Sequence, residues 1–163
     1  MNAHAPRWLY FAYGSNLNLD GMTSRCPDAV AAGAAILDDW TLTFRGVADI
    51  ARLRGRRAYG ALWGISGRDL ERLDSYEGYP STYRRRLVTV AAAGRRVGAL
   101  TYVMGDDHIG LPSSHYYETI RQGFEQWDLP ILALEVAAAR AKDELRDRGL
   151  RRELGPRPPN RPV

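Results

Sequence analysis

Cysteine is nearly absent from this chain: Cys26 stands alone among 163 residues. One thiol makes no internal disulfide and no cysteine-built metal cluster. Lysine is as scarce, with Lys142 the only one among 23 basic residues, set against 19 acidic ones for a net charge of +4. The arginines are scattered. Their one run, Arg84-Arg85-Arg86, falls in an extended segment where alternate residues face opposite ways. Nucleic-acid binding asks for basic residues gathered on one face with stacking aromatics between them, and the chain lacks that arrangement. Its histidines, His4, His108 and His115, show no His-Glu-x-x-His or comparable ligand spacing, so no metal site is expected. There is no glycine loop of the dinucleotide or Walker type, and no cofactor is expected. Long hydrophobic runs are missing too: Trp8–Tyr13 is far too short for a signal or membrane segment. The expectation is a cytoplasmic protein with neither nucleic acid nor membrane as a partner, and a monomer or homodimer.

What is present is an ordinary globular composition, 45% hydrophobic and 26% charged. The length fits one domain, taken as residues 1–150, followed by a Pro/Arg-rich tail, 151–163, expected to be disordered. Trp8–Tyr13 reads as a strand, and Asn18–Arg25 as a short helix capped by Asn18 and stopped by Cys26-Pro27. Trp40–Phe44 alternates strictly, the period of a half-buried strand. Ala48–Leu53 and Ala58–Ile65 read as two further strands separated by Arg54-Gly55-Arg56-Arg57. A helix capped by Ser66 runs out at Glu77-Gly78, and Tyr83–Ala91 with Arg95–Met104 forms a hairpin turning at Gly94. Ser113 or Ser114 caps a helix with the apolar stripe Tyr116, Ile120, Phe124 and Trp127. The last helix carries Ile131, Leu134, Ala138, Ala141 and Leu145 on one face, with Gly149 as its C-cap. Strands followed by helices indicate an α+β fold: a small mixed sheet or barrel of five to seven strands flanked by helices.

Two stretches invite chemistry. Tyr10-Phe11-Ala12-Tyr13-Gly14-Ser15-Asn16-Leu17 is an apolar strand that breaks at small polar residues just before a helix. That layout exposes backbone N–H groups to an anion or a developing oxyanion, although the same residues also make a plain β-turn. Leu73-Asp74-Ser75-Tyr76-Glu77-Gly78-Tyr79-Pro80 sets a carboxylate at a helix end beside Tyr76 and Tyr79. Shielding there would raise its pKa and suit it to proton transfer; the alternative is a solvated surface acid. Cys26 with a histidine is a weaker rival, since Cys26-Pro27 offers no helix N-terminus or visible base to activate the thiol.

Tyr-Gly-Ser-Asn-Leu at 13–17, Gly60-Ala61-Leu62-Trp63, the Leu73–Gly78 segment, Tyr83 and Pro112–Tyr116 stand in the order found in the γ-glutamylcyclotransferase-like family. Together they identify the chain as similar to that family. Tyr-Glu-Gly-Tyr-Pro and Gly123-Phe124-Glu125-Gln126-Trp127 look most like its bacterial members. The resemblance implies that fold and a small-molecule γ-glutamyl substrate, cyclised to 5-oxoproline without a metal or organic cofactor. It puts the catalytic glutamate at Glu77. It puts substrate contacts on Tyr10, Phe11, Ala12, Tyr13, Gly14, Ser15 and Asn16, and on Tyr83 and Tyr116. The loop Gly105–Pro112 and the turn Arg54–Arg57 are expected to shape the far side of the pocket. A catalytically silent member binding a small ligand or a protein is the alternative.

Overall fold

The computed structural model describes residues 5–154. Five strands form a closed barrel: β1 (Trp8–Ala12), β2 (Val30–Phe44), β3 (Ala48–Ile65), β4 (Arg84–Ala92) and β5 (Arg95–Val103), in the order β1-β3-β2-β4-β5. The pairs are antiparallel except where β1 meets β5, parallel at Tyr10 and Leu100, to close the ring. Four helices lie outside: α1 (Leu19–Arg25), α2 (Gly67–Glu77), α3 (Ser114–Gln126) and α4 (Ile131–Leu154). This is an α+β fold, as expected. Phe11, Phe44, Ile50, Ile65 and Val90 are fully buried in the core. Among the described residues, no helix is long and apolar enough to cross a membrane.

The local signals explain most elements. Asn18 caps α1 by accepting from the Gly21 N–H at 3.1 Å. At the start of α2, Ser66 and Asp69 form a reciprocal capping box. Gly78 ends α2 in the left-handed conformation, φ 64°. The β4–β5 hairpin turns at Ala93 (φ 47°) and Gly94 (φ 74°), the doubly positive geometry of a tight two-residue turn.

Three expectations need correction. Val30–Asp39, left out of the strand reading, belongs to β2. Its small residues and its register shifts at Ala31/Gly33 and Asp38/Trp40 break the alternation that marks a strand. Arg54–Arg57 is not a turn between two strands. The register passes from Asp38↔Arg57 to Trp40↔Arg52, so part of β3 bulges opposite Asp39, and Gly55 donates its N–H to Asp39 Oδ1 at 2.8 Å. Gly149 does not cap α4, which continues to Leu154. A glycine inside a helix costs only about 1 kcal/mol, and the Leu, Arg and Glu residues around it favour helix. Residues 151–154, assigned to the tail, are thus helical; the disorder expected beyond them falls outside the described residues.

Two close approaches fix the barrel end that carries the site. A Cβ on Gly60 of β3 would lie 2.2 Å from the Ala12 carbonyl oxygen and 2.6 Å from the Phe11 ring. Only a hydrogen there lets the end of β1 pass over β3. A Cβ on Gly123 of α3 would lie 2.6 Å from the Leu17 Cβ, so α3 presses against the turn that follows β1. Trp127 Nε1 donates to the Leu17 carbonyl at 2.8 Å and the Leu19 N–H to Gln126 Oε1 at 2.8 Å, fastening that turn from the same helix.

Gly60→Ala is expected to destabilise the fold by about 2–3 kcal/mol, the cost of overpacking a tight contact. Urea unfolding would show this as a lower midpoint, and an unchanged midpoint would remove the close approach as a constraint.

Candidate active site

β1, the 3-10 turn Ser15–Leu17, the start of β3, the end of α2 and the start of α3 converge on a cavity of about 450 Å³. Tyr10, Tyr13, Gly14, Ser15 and Asn16 line one side, with Val47 and Ala48, the α2 end from Ser75 and Tyr76 to Glu77 and Gly78, Thr82 and Tyr83, and Tyr102 and Tyr116 completing it.

Glu77 reaches the cavity because α2 stops at Gly78. Its Oε1 accepts from Asn16 Nδ2 at 3.1 Å. Burial pushes the carboxyl up to about 7, against the opposing pull of the Arg25 charge and the Asn16 hydrogen bond. The same Nδ2 donates to the Tyr10 hydroxyl at 2.9 Å, and Asn16 Oδ1 accepts from Arg25 Nη1. Asp74, on the preceding turn of the helix, ends differently. Burial works to raise it, but hydrogen bonds from Arg85 and Tyr102 and the Arg85 charge outweigh that and hold it below the ordinary carboxylate range.

Tyrosine hydroxyls are anchored on main chain. Tyr83 donates to the Ala48 carbonyl at 2.6 Å, and Tyr116 accepts from the Ala48 N–H at 3.1 Å, with the Ser15 hydroxyl as a second neighbour. Tyr13 donates to the Tyr102 carbonyl at 2.6 Å, and Tyr102 donates to Asp74 Oδ1 at 2.6 Å. Burial raises the pKa of Tyr10, Tyr13, Tyr83, Tyr102 and Tyr116, so these rings stay neutral at physiological pH. Gly14 is held to glycine size: a Cβ would lie 3.0 Å from the Ala48 Cβ and 3.6 Å from the Tyr116 hydroxyl.

Of the residues singled out in the sequence, Glu77, Tyr10, Tyr13, Gly14, Ser15, Asn16, Tyr76, Tyr83 and Tyr116 meet at this cavity. Phe11 and Ala12 do not line it; both are fully buried, and Phe11 packs over Gly60. Tyr79 does not line the cavity or screen Glu77 within it; its ring lies under the Arg85 guanidinium at 4.7 Å. Neither Gly105–Pro112 nor Arg54–Arg57 contributes to the cavity, whose remaining wall comes from Val47, Ala48 and Thr82. Sequence reasoning missed Ala48, Tyr102 and Arg25. Ala48 acts through its backbone, Tyr102 looks like any core tyrosine of an alternating strand, and Arg25 is one arginine of many. Cys26 is buried, donates its thiol to the Asp69 carbonyl at 3.7 Å, and is pushed by burial up to about 12, which gives the nucleophile reading no support.

Fold and cavity together define a class: a small α+β barrel with a shielded carboxyl group facing a glycine-serine turn. The comparisons say which. A sequence model described as "Gamma-glutamyl cyclotransferase, AIG2-like" matches residues 10–128. The chain is 32% identical over 138 residues to a γ-glutamylcyclotransferase of Bos taurus, covering 76% of this chain and 73% of that one. Identity to the Homo sapiens γ-glutamylcyclotransferase is 31%, with the same coverage. A solved structure described as "Gamma-glutamyl cyclotransferase" superposes with a TM-score of 0.73 at 28% identity, over 80% of this chain and 85% of that one. The chain belongs to the γ-glutamyl cyclotransferase, AIG2-like family of enzymes.

The raised pKa of Glu77 has a stability consequence. Between its ordinary value of 4.5 and about 7, the folded protein holds a proton that the unfolded chain has lost. Stability therefore falls as pH rises through that window. Glu77→Gln keeps the Asn16 hydrogen bond and removes the ionisation. It is expected to be more stable than wild type at pH 8, by on the order of 2 kcal/mol, and equal to it below pH 4. Denaturant midpoints at the two pH values measure this, and a variant no more stable at pH 8 would contradict the raised pKa.

Proposed function

We propose that the enzyme releases 5-oxoproline from a γ-glutamyl-amine or γ-glutamyl-amino acid. The α-amine nitrogen attacks the γ-carbonyl carbon of the same molecule, the new C–N bond closes the five-membered ring, and the amide bond to the departing amine breaks. An α-ammonium cannot attack, so a base must first take its proton. Glu77 is that base, and it returns a proton to the leaving nitrogen as general acid. A carboxyl group that titrates near neutral pH is matched to both halves of this exchange. Holding nucleophile and electrophile in ring-closing geometry lowers much of the entropic barrier, a task suited to a wall of anchored tyrosines.

Gly14 and Ser15, at the start of a helical turn, line the same cavity, and their backbone amides are assigned the γ-glutamyl end. Tyr116 is assigned a hydrogen bond to substrate through its hydroxyl. Carrying this reading is one observation: among the described residues, the one acid on the cavity wall is a largely shielded carboxyl group whose Oε1 lies 3.1 Å from the side-chain amide of Asn16 in that same turn.

The test is 5-oxoproline release from matched γ-glutamyl amines and γ-glutamyl amino acids. Wild type is expected to form it with kcat/KM rising through a midpoint near pH 7, where Glu77 ionises. Glu77→Gln is expected to lose about 10²–10⁴-fold, the usual worth of a general acid–base group. Free glutamate as product would mean hydrolysis instead of ring closure. Equal activity of the two proteins would remove Glu77 from the mechanism.

A further inference from the structure

The Asn16 side chain faces three partners, and its two ends have different chemistry. Its NH₂ group only donates and its oxygen only accepts. Nδ2 points at Glu77 Oε1 (3.1 Å) and at the Tyr10 hydroxyl (2.9 Å), while Oδ1 meets Arg25 Nη1. A reversed amide would occupy nearly the same volume, so what selects this orientation has to be electrostatic. Tyr10 does not select it, because a hydroxyl can donate or accept. Glu77 selects it only while ionised; once protonated, a carboxyl can donate to an amide oxygen just as well. A guanidinium carries donors only and keeps its proton at any working pH. Arg25 alone demands the oxygen in every state of the site.

Arg25 is itself held. Its guanidinium carbon lies 3.5 Å from the centroid of the Tyr76 ring, and the Tyr76 hydroxyl is 3.0 Å from Ser15 Oγ, across the cavity mouth. With the guanidinium over that ring, Nη1 still reaches Asn16 Oδ1.

We propose that Arg25 is a positioning residue that locks the Asn16 amide with its NH₂ toward Glu77, so that the carboxyl group is held in one place whether or not it carries the proton. This rests on the reading of Glu77 as proton carrier, which requires it to pass through both states in each turnover. Arg25 is set back from the reacting atoms, and its effect is transmitted through Asn16.

The groups facing Glu77 leave Arg25 distinct. They are Asn16 from the 3-10 turn, Tyr10 and Tyr13 from β1 and its end, Tyr76 from α2 itself, Tyr83 before β4, Tyr116 from α3, and Arg25 from α1. Among the described residues, Arg25 is the one cation whose charge acts on Glu77, and it favours the ionised form.

The experiment uses the full-length chain and two readouts. The first is the Glu77 titration, followed by ¹³C NMR of labelled glutamate carboxyls and assigned with Glu77→Gln. The second is kcat and KM for a γ-glutamyl amine. Arg25→Met keeps the stem and removes charge and donors. It is expected to move the titration midpoint up by about half a unit or more. It is also expected to lower kcat about tenfold or more, with little change in KM. Arg25→Lys keeps the charge and is expected to hold the midpoint near wild type. Adding Asn16→Ala to Arg25→Met is expected to cost less than about twofold further, although Asn16→Ala alone costs about tenfold, since both act through one contact.

An unchanged midpoint in Arg25→Met, or losses that multiply in the double variant, would overturn the proposal. If wild type releases no 5-oxoproline from any substrate, the proposed reaction fails. The titration then decides the positioning claim through Asn16: in an Asn16→Ala background Arg25→Met is expected to move the midpoint much less than in wild type, and an equal shift in both backgrounds would mean that Arg25 acts by charge alone.

Discussion

A carboxyl group withdrawn from water but not neutralised is the constraint around which this structure is built. Asp74 and Glu77 lie three residues apart on α2, close enough to share a helix face. Asp74 takes a two-point ion pair with Arg85 and a hydrogen bond from Tyr102, and its pKa falls. Burial raises Glu77 to about 7, because its pairing, one neutral amide and the indirect charge of Arg25, is too weak to offset it. The difference between an acid held below the ordinary carboxylate range and one raised above it is how far pairing offsets burial in each neighbourhood. A direct guanidinium on Glu77 would stabilise the fold and silence the group. Interposing Asn16 attenuates the cation without removing it.

The rest of the cavity wall follows from the need to keep such a group dry. Tyrosines provide apolar bulk, and each buried hydroxyl has to find a partner. Here the partners are mostly backbone atoms: the carbonyl and amide of Ala48 and the carbonyl of Tyr102. The rings are thereby fixed without adding a second charge near Glu77. Glycines serve the same end by letting chains approach. Gly60 admits the end of β1, Gly123 admits the following turn, and Gly14 leaves room beside Ala48 and Tyr116.

Much of this was legible from local patterns, because the decisive features were local. Gly78 ends α2 and so puts Glu77 at a helix terminus; Ser66 and Asp69 start that helix; Gly14-Ser15-Asn16 turns the chain after β1. What escaped notice depends on tertiary pairing. The first part of β2 is rich in Ala and Gly and bulged twice, so no alternation betrays it. An arginine-rich interruption in β3 looks like a chain reversal until its register with β2 is known. Arg25 cannot be distinguished in sequence from its neighbours, since its importance lies in an amide nine residues away and a ring on another helix. The expected far wall of Gly105–Pro112 and Arg54–Arg57 gives way for a similar reason: the cavity uses Val47, in the bend between β2 and β3, and Ala48, the first residue of β3.

Ala48 carries an implication for how such a site can change over time. Both of its contacts to Tyr83 and Tyr116 are made by the peptide unit, and its methyl group matters only for being small beside Gly14. Serine or cysteine could stand there with the tyrosines undisturbed, while proline, which has no N–H, would release Tyr116. A position can therefore be essential and yet chemically anonymous, its identity drifting among small residues while its job is kept by atoms that every amino acid but one supplies.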